Sequence, residues 1–235
     1  MQRFGLGDYW KMFKARGFKL PLTYFFQAQL FDLLRGTDTH DWLQKADFDG
    51  ALKDEPHGEI YMCTWTAEVT RAHAALRDLL GEGFDDWSFV DIGCGKGKVC
   101  LIWAEKTALT TYRGRIFGVD YLASLIAIAE RNKARRGNPP ITFIHHDARS
   151  VDFAAMGERL IVFLFNPFDQ ALLAQVAARI AGIRHLIVYV NPRYQAFLES
   201  SGYRLLWRRQ GWHTNDTIAI LAGPGSEIAV EQKLA

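Results

Sequence analysis

The stretch Val90-Asp91-Ile92-Gly93-Cys94-Gly95-Lys96-Gly97 limits the possible folds of this 235-residue chain more than any other. An apolar run ends in an acid, and glycines follow at every second position. That order describes a buried parallel strand turning into a loop whose backbone passes close to a ligand. Glycine suits such a loop because a Cβ would block close approach or forbid positive φ. An acid and glycines at the carboxyl end of a strand mark the crevice where open α/β sheets bind ligands. A tight strand-to-helix turn without a ligand has the same composition, so spacing has to discriminate. The dinucleotide fingerprint G-x-G-x-x-G puts its third glycine three positions after the second. Here Lys98 holds that position and the third glycine comes one step early, at Gly97. The pattern is D-x-G-x-G-x-G.

The flanking sequence supplies a repeating frame. Residues 67–80 read as a helix, with Val69, Ala72, Leu76 and Leu79 on one face, Thr66 as N-cap, and Gly81 and Gly83 at its end. Strands are expected at 89–92, 116–119, 141–144, 160–165 and 185–190, with helices at 99–106, 122–136 and 170–180 between them. Strands alternating with helices define a parallel sheet. Two further strands, 203–208 and 217–221, follow without a helix and are expected to pair like a hairpin. The expected fold is α/β: a seven-stranded, mostly parallel, Rossmann-like sheet with helices on both faces and an N-terminal helical extension. Pro56 and Gly58 punctuate the end of that extension, giving expected units of 1–58, 59–222 and a tail of 223–235.

Polar residues recur at the strand ends. Asp91, Asp120, Asp147 and Asn166 fall at or just after the carboxyl ends of successive strands. In an open parallel sheet those ends line one edge, so the four share a crevice. Any one alone reads as a helix cap; four in series do not. Asp120 lies 29 residues after Asp91 (120 − 91), farther than the roughly twenty of dinucleotide folds, and an inserted loop at 107–115 accounts for the excess. The phosphate-binding pattern G-x-x-x-x-G-K-[ST] is absent.

An ordered set of motifs runs through the chain: Phe31-Asp32 with Gly36-Thr37-Asp38-Thr39, then Tyr61 with Thr64, residues 90–97, and Gly118-Val119-Asp120. His146-Asp147-Ala148, Phe165-Asn166-Pro167-Phe168 and Tyr189-Val190-Asn191-Pro192 complete it. Across residues 31–222 this set resembles a little-characterised bacterial family of Rossmann-like methyltransferases that use S-adenosylmethionine (SAM). A more distant similarity is to DOT1-like protein-lysine methyltransferases, whose substrate does not transfer. The resemblance implies SAM as cofactor. Asp120, with Tyr121 beside it, would hold the ribose; Asp147 would accept from the adenine amine, with Ala148 against the ring. Asp91 and the loop of Gly93, Cys94, Gly95 and Gly97 would face the methionine end, with Tyr61 and Thr64 closing over it. Asn166-Pro167-Phe168 resembles the [DN]-P-P-[FYW] element of amine methyltransferases, one proline short. There the Asn oxygen and the next carbonyl orient the acceptor nitrogen, and the aromatic residue packs on the acceptor. Two readings of Asn166 stand: that role, shared with cofactor contact, or a cap on the next helix with Pro167 in its first turn. Tyr61 and Thr64 equally fit core and capping duty. Trp212 and His213 fall where such enzymes line the acceptor mouth, although a lone histidine is more simply solvated.

The remaining features set outer bounds. Cys63, Cys94 and Cys100 are odd in number with no C-x-x-C spacing, so neither a disulfide framework nor a zinc site is expected; the resemblance implies no third ligand for His145-His146 either. A reduced, cytoplasmic setting follows. No apolar run reaches the roughly eighteen residues of a membrane span. Basic Lys11, Lys14, Arg16 and Lys19 precede the apolar stretch 20–34, which reads either as a membrane-surface helix or, preferably, as a helix docked on the main domain. The net charge of +2 decides nothing about nucleic acid. Two local clusters, Arg131/Lys133/Arg135/Arg136 and Arg204/Arg208/Arg209, keep a nucleic-acid acceptor as the second choice behind a protein side chain or small amine. The acceptor itself is unknown from sequence.

Overall fold

The computed structural model describes residues 5–40, 62–166 and 168–226. Tyr61, Pro167, residues 1–4 and 41–58 of the expected extension, and 227–235 of the expected tail lie outside the described residues.

Seven strands form one sheet: β1 (Ser88–Ile92), β2 (Ile116–Asp120), β3 (Ile141–His145), β4 (Arg159–Phe165), β5 (Arg184–Val190), β6 (Arg204–Arg209) and β7 (Ile218–Ala222). Their spatial order is β3-β2-β1-β4-β5-β7-β6, and only the pairings made by β7 are antiparallel. Every residue of β1, β2 and β7 is buried. Helices cover both faces, so these strands read as continuous apolar runs rather than alternating ones. Side chains still divide by a period of two. On β4, Ile161 and Phe163 join one core with Phe89, Trp103 and Leu76, while Leu160, Val162 and Leu164 join another with Leu173, Val176 and Leu198. Phe89 stacks flat on Trp103, with ring centroids 4.0 Å apart.

The helices are α1 (Leu6–Arg16), α2 (Lys19–Tyr24), α3 (Leu30–Arg35), α4 (Thr66–Leu80), α5 (Lys98–Thr107), α6 (Ala123–Arg135), α7 (Gln170–Ile180) and α8 (Gln195–Ser200). The expected α/β architecture is present, with two local corrections. Thr66 is the first residue of α4 rather than its N-cap, a position held by the extended Trp65. The two last strands do pair, but α8 lies between β5 and β6 where no helix was expected. Six residues are too few to display a helical period.

The Thr66 hydroxyl points to the extension instead. A π-helical turn, Phe25–Gln29, joins α2 to α3. Such turns release carbonyls from the helical ladder. The Gln27 carbonyl accepts from Thr66 Oγ1 at 2.9 Å and Lys98 Nζ at 2.5 Å, while Gln27 Oε1 accepts from the Ala67 amide at 2.8 Å. Gln27 therefore caps α4 from another segment. Further along, buried Asp32 gathers the chain that leaves α3. It accepts from Thr37 Oγ1, the Thr39 amide and hydroxyl, and the His40 amide, and it pairs with His40 Nδ1 at 2.7 Å. Burial pushes its carboxyl up, but the bonds from His40, Thr37 and Thr39 outweigh burial and hold it at about 2.

Asp32→Ala is expected to destabilise the protein by roughly 2–4 kcal/mol, because buried donors lose a charged acceptor; urea denaturation measures it. The folded pKa lies below the unfolded value of 3.8. This contribution is therefore present above about pH 4 and lost as pH falls toward 2, and the variant's deficit should shrink over that range.

Candidate active site

The glycine loop is tied to the end of β2. The Gly93 and Cys94 amides both donate to the Val119 carbonyl, at 2.8 and 3.0 Å. One Asp120 carboxylate oxygen accepts from the Gly95 amide and the other from the Leu122 amide, both at 2.9 Å. Gly97 caps α5 with φ +83°, and a Cβ there would lie 2.6 Å from Phe143 Cζ. Its hydrogen is thus required by packing against β3 as well as by its backbone angle. The Cys94 side chain does not face the crevice: it is buried in the core, against the Cα of Gly118.

The loop's two lysines point to the extension. Lys96, fully buried, binds Asp38 through Nζ at 2.8 Å. Asn132 of α6 clasps both segments, donating to the Asp38 and Lys96 carbonyls and accepting from the Asp38 amide. Lys98 reaches Gln27, with its ammonium over the Phe31 ring. Neither cation serves a phosphate.

At the carboxyl edge of β1 to β4 lies a narrow cleft. The structure brings Gly93, Asp120, Tyr121, Asp147, Ala148 and Phe168 together around it. Asp120 is buried, and burial raises its pKa to about 6 despite the backbone bonds. Asp91 is also buried; burial and the nearby Asp120 push its carboxyl well above the usual range. Asp147 is more exposed and is forked to Arg149, at 2.9 and 3.0 Å from Nε, which helps hold its pKa down.

Asn166 ends β4 with a left-handed backbone, φ +43°, and its Oδ1 accepts from the Tyr189 hydroxyl at 3.3 Å. The capping alternative fails, because Asp169 caps α7 by accepting from the Leu172 amide at 2.9 Å. Phe168 is buried beside the cleft. Thr64 is buried just ahead of Trp65, whose ring stacks on Trp212 at 5.9 Å and meets His213 at 5.4 Å. His213 is not simply solvated: Nδ1 accepts from the Asn215 amide, and burial and Arg16 lower its pKa.

Sequence reasoning missed two features at this edge. Tyr189 lay within a quoted motif, yet its partner sits on another strand. The buried Glu68 joins Arg71, and Arg71 and Arg209 both bind Asp216. Burial and Asp216 raise Glu68 to about 8. The i,i+3 spacing of Glu68 and Arg71 was visible; their meeting with Asp216 was not.

Residues 89–185 match a family described as a methyltransferase domain. A mutant of MtNAS in complex with S-adenosylmethionine is similar in fold, at 13% identity over 68% of this chain and 61% of that one, with a TM-score of 0.50. The PH0226 protein from Pyrococcus horikoshii OT3 is similar at 14% identity over 67% and 90%, also with a TM-score of 0.50. No curated protein matches the chain in sequence. The fold is the one Rossmann-like methyltransferases have, and the methyltransferase-domain match spans 97 of the 235 residues (185 − 89 + 1). The chain is an enzyme of the SAM-dependent kind, and S-adenosylmethionine is its cofactor.

Gly97→Ala is expected to lower stability by roughly 2–4 kcal/mol through combined backbone strain and overpacking, read as a shifted urea midpoint. An unchanged midpoint would mean that Phe143 and the loop relax freely.

Proposed function

We propose that the enzyme transfers a methyl group to a nitrogen acceptor, on a protein side chain or a small amine, held at Asn166. One observation carries this reading: Asn166 follows β4, two residues before the cleft-lining Phe168, is not needed to cap α7, and has its oxygen oriented by Tyr189. A side-chain oxygen has two lone pairs. The Tyr189 hydroxyl takes one, leaving the other for an acceptor N–H.

The residues present suit SAM. Asp91 is a buried carboxyl without a hydrogen bond among the described residues, which fits a group awaiting the cofactor's ammonium. Gly93, Cys94, Gly95 and Gly97 would shape the loop around the methionine end, with Thr64 and Tyr61 closing above it. Asp120 and Tyr121 would hold the ribose, and Asp147 and Ala148 the adenine. When bound, SAM supplies a methyl group activated by a sulfonium. The protein's task is then alignment, which can supply a large part of the barrier reduction. With cofactor and amine bound, Asn166 would accept from the amine and so orient its lone pair, and Phe168 would pack on the acceptor. A neutral amine needs no base before attack; its proton leaves after the N–C bond forms.

Asp120→Ala is expected to weaken SAM binding by about 10- to 100-fold in calorimetry. Ionised Asp120 would accept from both ribose hydroxyls more strongly than its protonated form, and its pKa is raised to about 6 in the free protein. Wild-type affinity should therefore fall as pH drops through 6, a dependence the variant lacks. Asn166→Ala should lower kcat by about 100-fold with SAM affinity within about threefold, and Tyr189→Phe should lower kcat by about 3- to 10-fold. Turnover untouched by the Asn166 change would remove the amine-orienting role. A lysate supplied with methyl-labelled SAM identifies the acceptor class; label that nuclease releases would replace this reading with nucleic-acid methylation.

A further inference from the structure

The extension has a second face. Tyr24, Ala28, Phe31 and Asp32 seal one side of the Lys19–Arg35 stretch against the domain, so the preferred docked reading holds for that side. The opposite side is apolar and open, and α1 buries none of its residues. Leu6 is 89% exposed and Phe18 72%, while Trp10, Leu22 and Phe26 are each more than half exposed. Single exposed apolar side chains are ordinary, but these adjoin. Leu6, Trp10, Phe13, Phe18 and Leu22 line one open concavity of the α1–α2 hairpin. The Phe13 ring touches those of Trp10 and Phe18 at 5.3 and 4.5 Å. A contiguous patch of this kind marks an interaction surface.

The charge beside it identifies the partner. Lys11, Lys14, Arg16 and Lys19 lie on the same hairpin, all exposed, and Asp8, paired with Lys11 at 3.4 Å, is the one acid between residues 5 and 31. Lys14 lies over the Trp10 ring, 5.4 Å from its centroid. Aromatic and leucine side chains on a cationic hairpin match an anionic bilayer surface, where the apolar groups enter the headgroup boundary and the cations meet lipid phosphates. A second copy is a poorer fit, because a two-fold interface would press like-charged hairpins together. We propose that the α1–α2 hairpin docks the enzyme on anionic membrane surfaces. Lys19 also lies over the Trp212 ring, 4.4 Å from its centroid, so the docked surface adjoins the β6–β7 loop. The proposal is independent of the acceptor.

The test is flotation of the full chain with phosphatidylglycerol/phosphatidylcholine vesicles against phosphatidylcholine alone. Binding to the anionic vesicles, weakened at about 0.5 M salt, is expected. Neutralising Lys11, Lys14 and Arg16 to Gln should lower vesicle affinity by roughly a hundredfold. Phe18→Asp with Leu22→Asp should abolish flotation while the melting temperature stays near wild type, since both side chains are exposed. Absence of binding, equal binding to both vesicle types, or unchanged binding of the folded Asp variant would overturn the proposal. So would a dimer in light scattering that the Asp variant loses, which would make this face a contact between copies.

Discussion

Burial of Lys96 and Lys98 is the constraint around which the molecule is arranged. A buried ammonium without a partner is strongly unfavourable, and both sit at the junction between the glycine loop and α5. The loop and α5 do not supply their partners. Asp38 and the Gln27 carbonyl do so from the extension, and Asn132 locks Asp38 to α6. The loop, the starts of α4 and α5, and the extension therefore form one interlocked unit. With its cationic side chains held by the extension, the loop leaves Gly93 at the cleft. That division suits the proposed role of the loop toward a cofactor without phosphates.

The same unit explains what the sequence made legible. The strands of the sheet were readable because a two-sided burial requirement leaves continuous apolar runs, and each run stops at a polar residue where the crevice begins. Asp91, Asp120 and Asp147 were found by that stop. Features set by contacts distant in sequence were not readable. Thr66 has the chemistry of an N-cap, but Gln27, 39 residues earlier, supplies the capping oxygen. Asn166 and Asp169 are both good caps by type, and only the hydrogen bond to Leu172 separates them. Nothing in the loop's own sequence marks Lys96 as buried, yet it is completely so, bound to Asp38 of the extension.

Charge in the cleft follows from the same burial. Asp91 and Asp120 lie on adjacent strands, both buried, and each strand-end carboxyl is pushed toward its neutral form. In the free protein the pair is poorly compensated. SAM carries positive charge at its sulfonium and its ammonium, so in the proposed binding mode its ammonium would lie beside Asp91 and relieve part of that penalty.

Asn166 and Asn191 end the neighbouring strands β4 and β5, and both adopt the left-handed backbone, at φ +43° and +52°. Few residues take that conformation without strain; glycine does, and asparagine is enriched there. Glycine would satisfy the turn but offer Tyr189 no oxygen. At Asn166 the requirement of the turn and that of the proposed acceptor role converge on one residue type, so its identity alone does not separate conformation from chemistry. Tyr189 separates them. A turn needs no hydroxyl on Oδ1, whereas an oriented amide does, and the residue that provides it projects from the adjacent strand. The amide is thereby held from two neighbouring strands of the sheet rather than by one loop, which is the rigidity that the proposed alignment of an acceptor would demand.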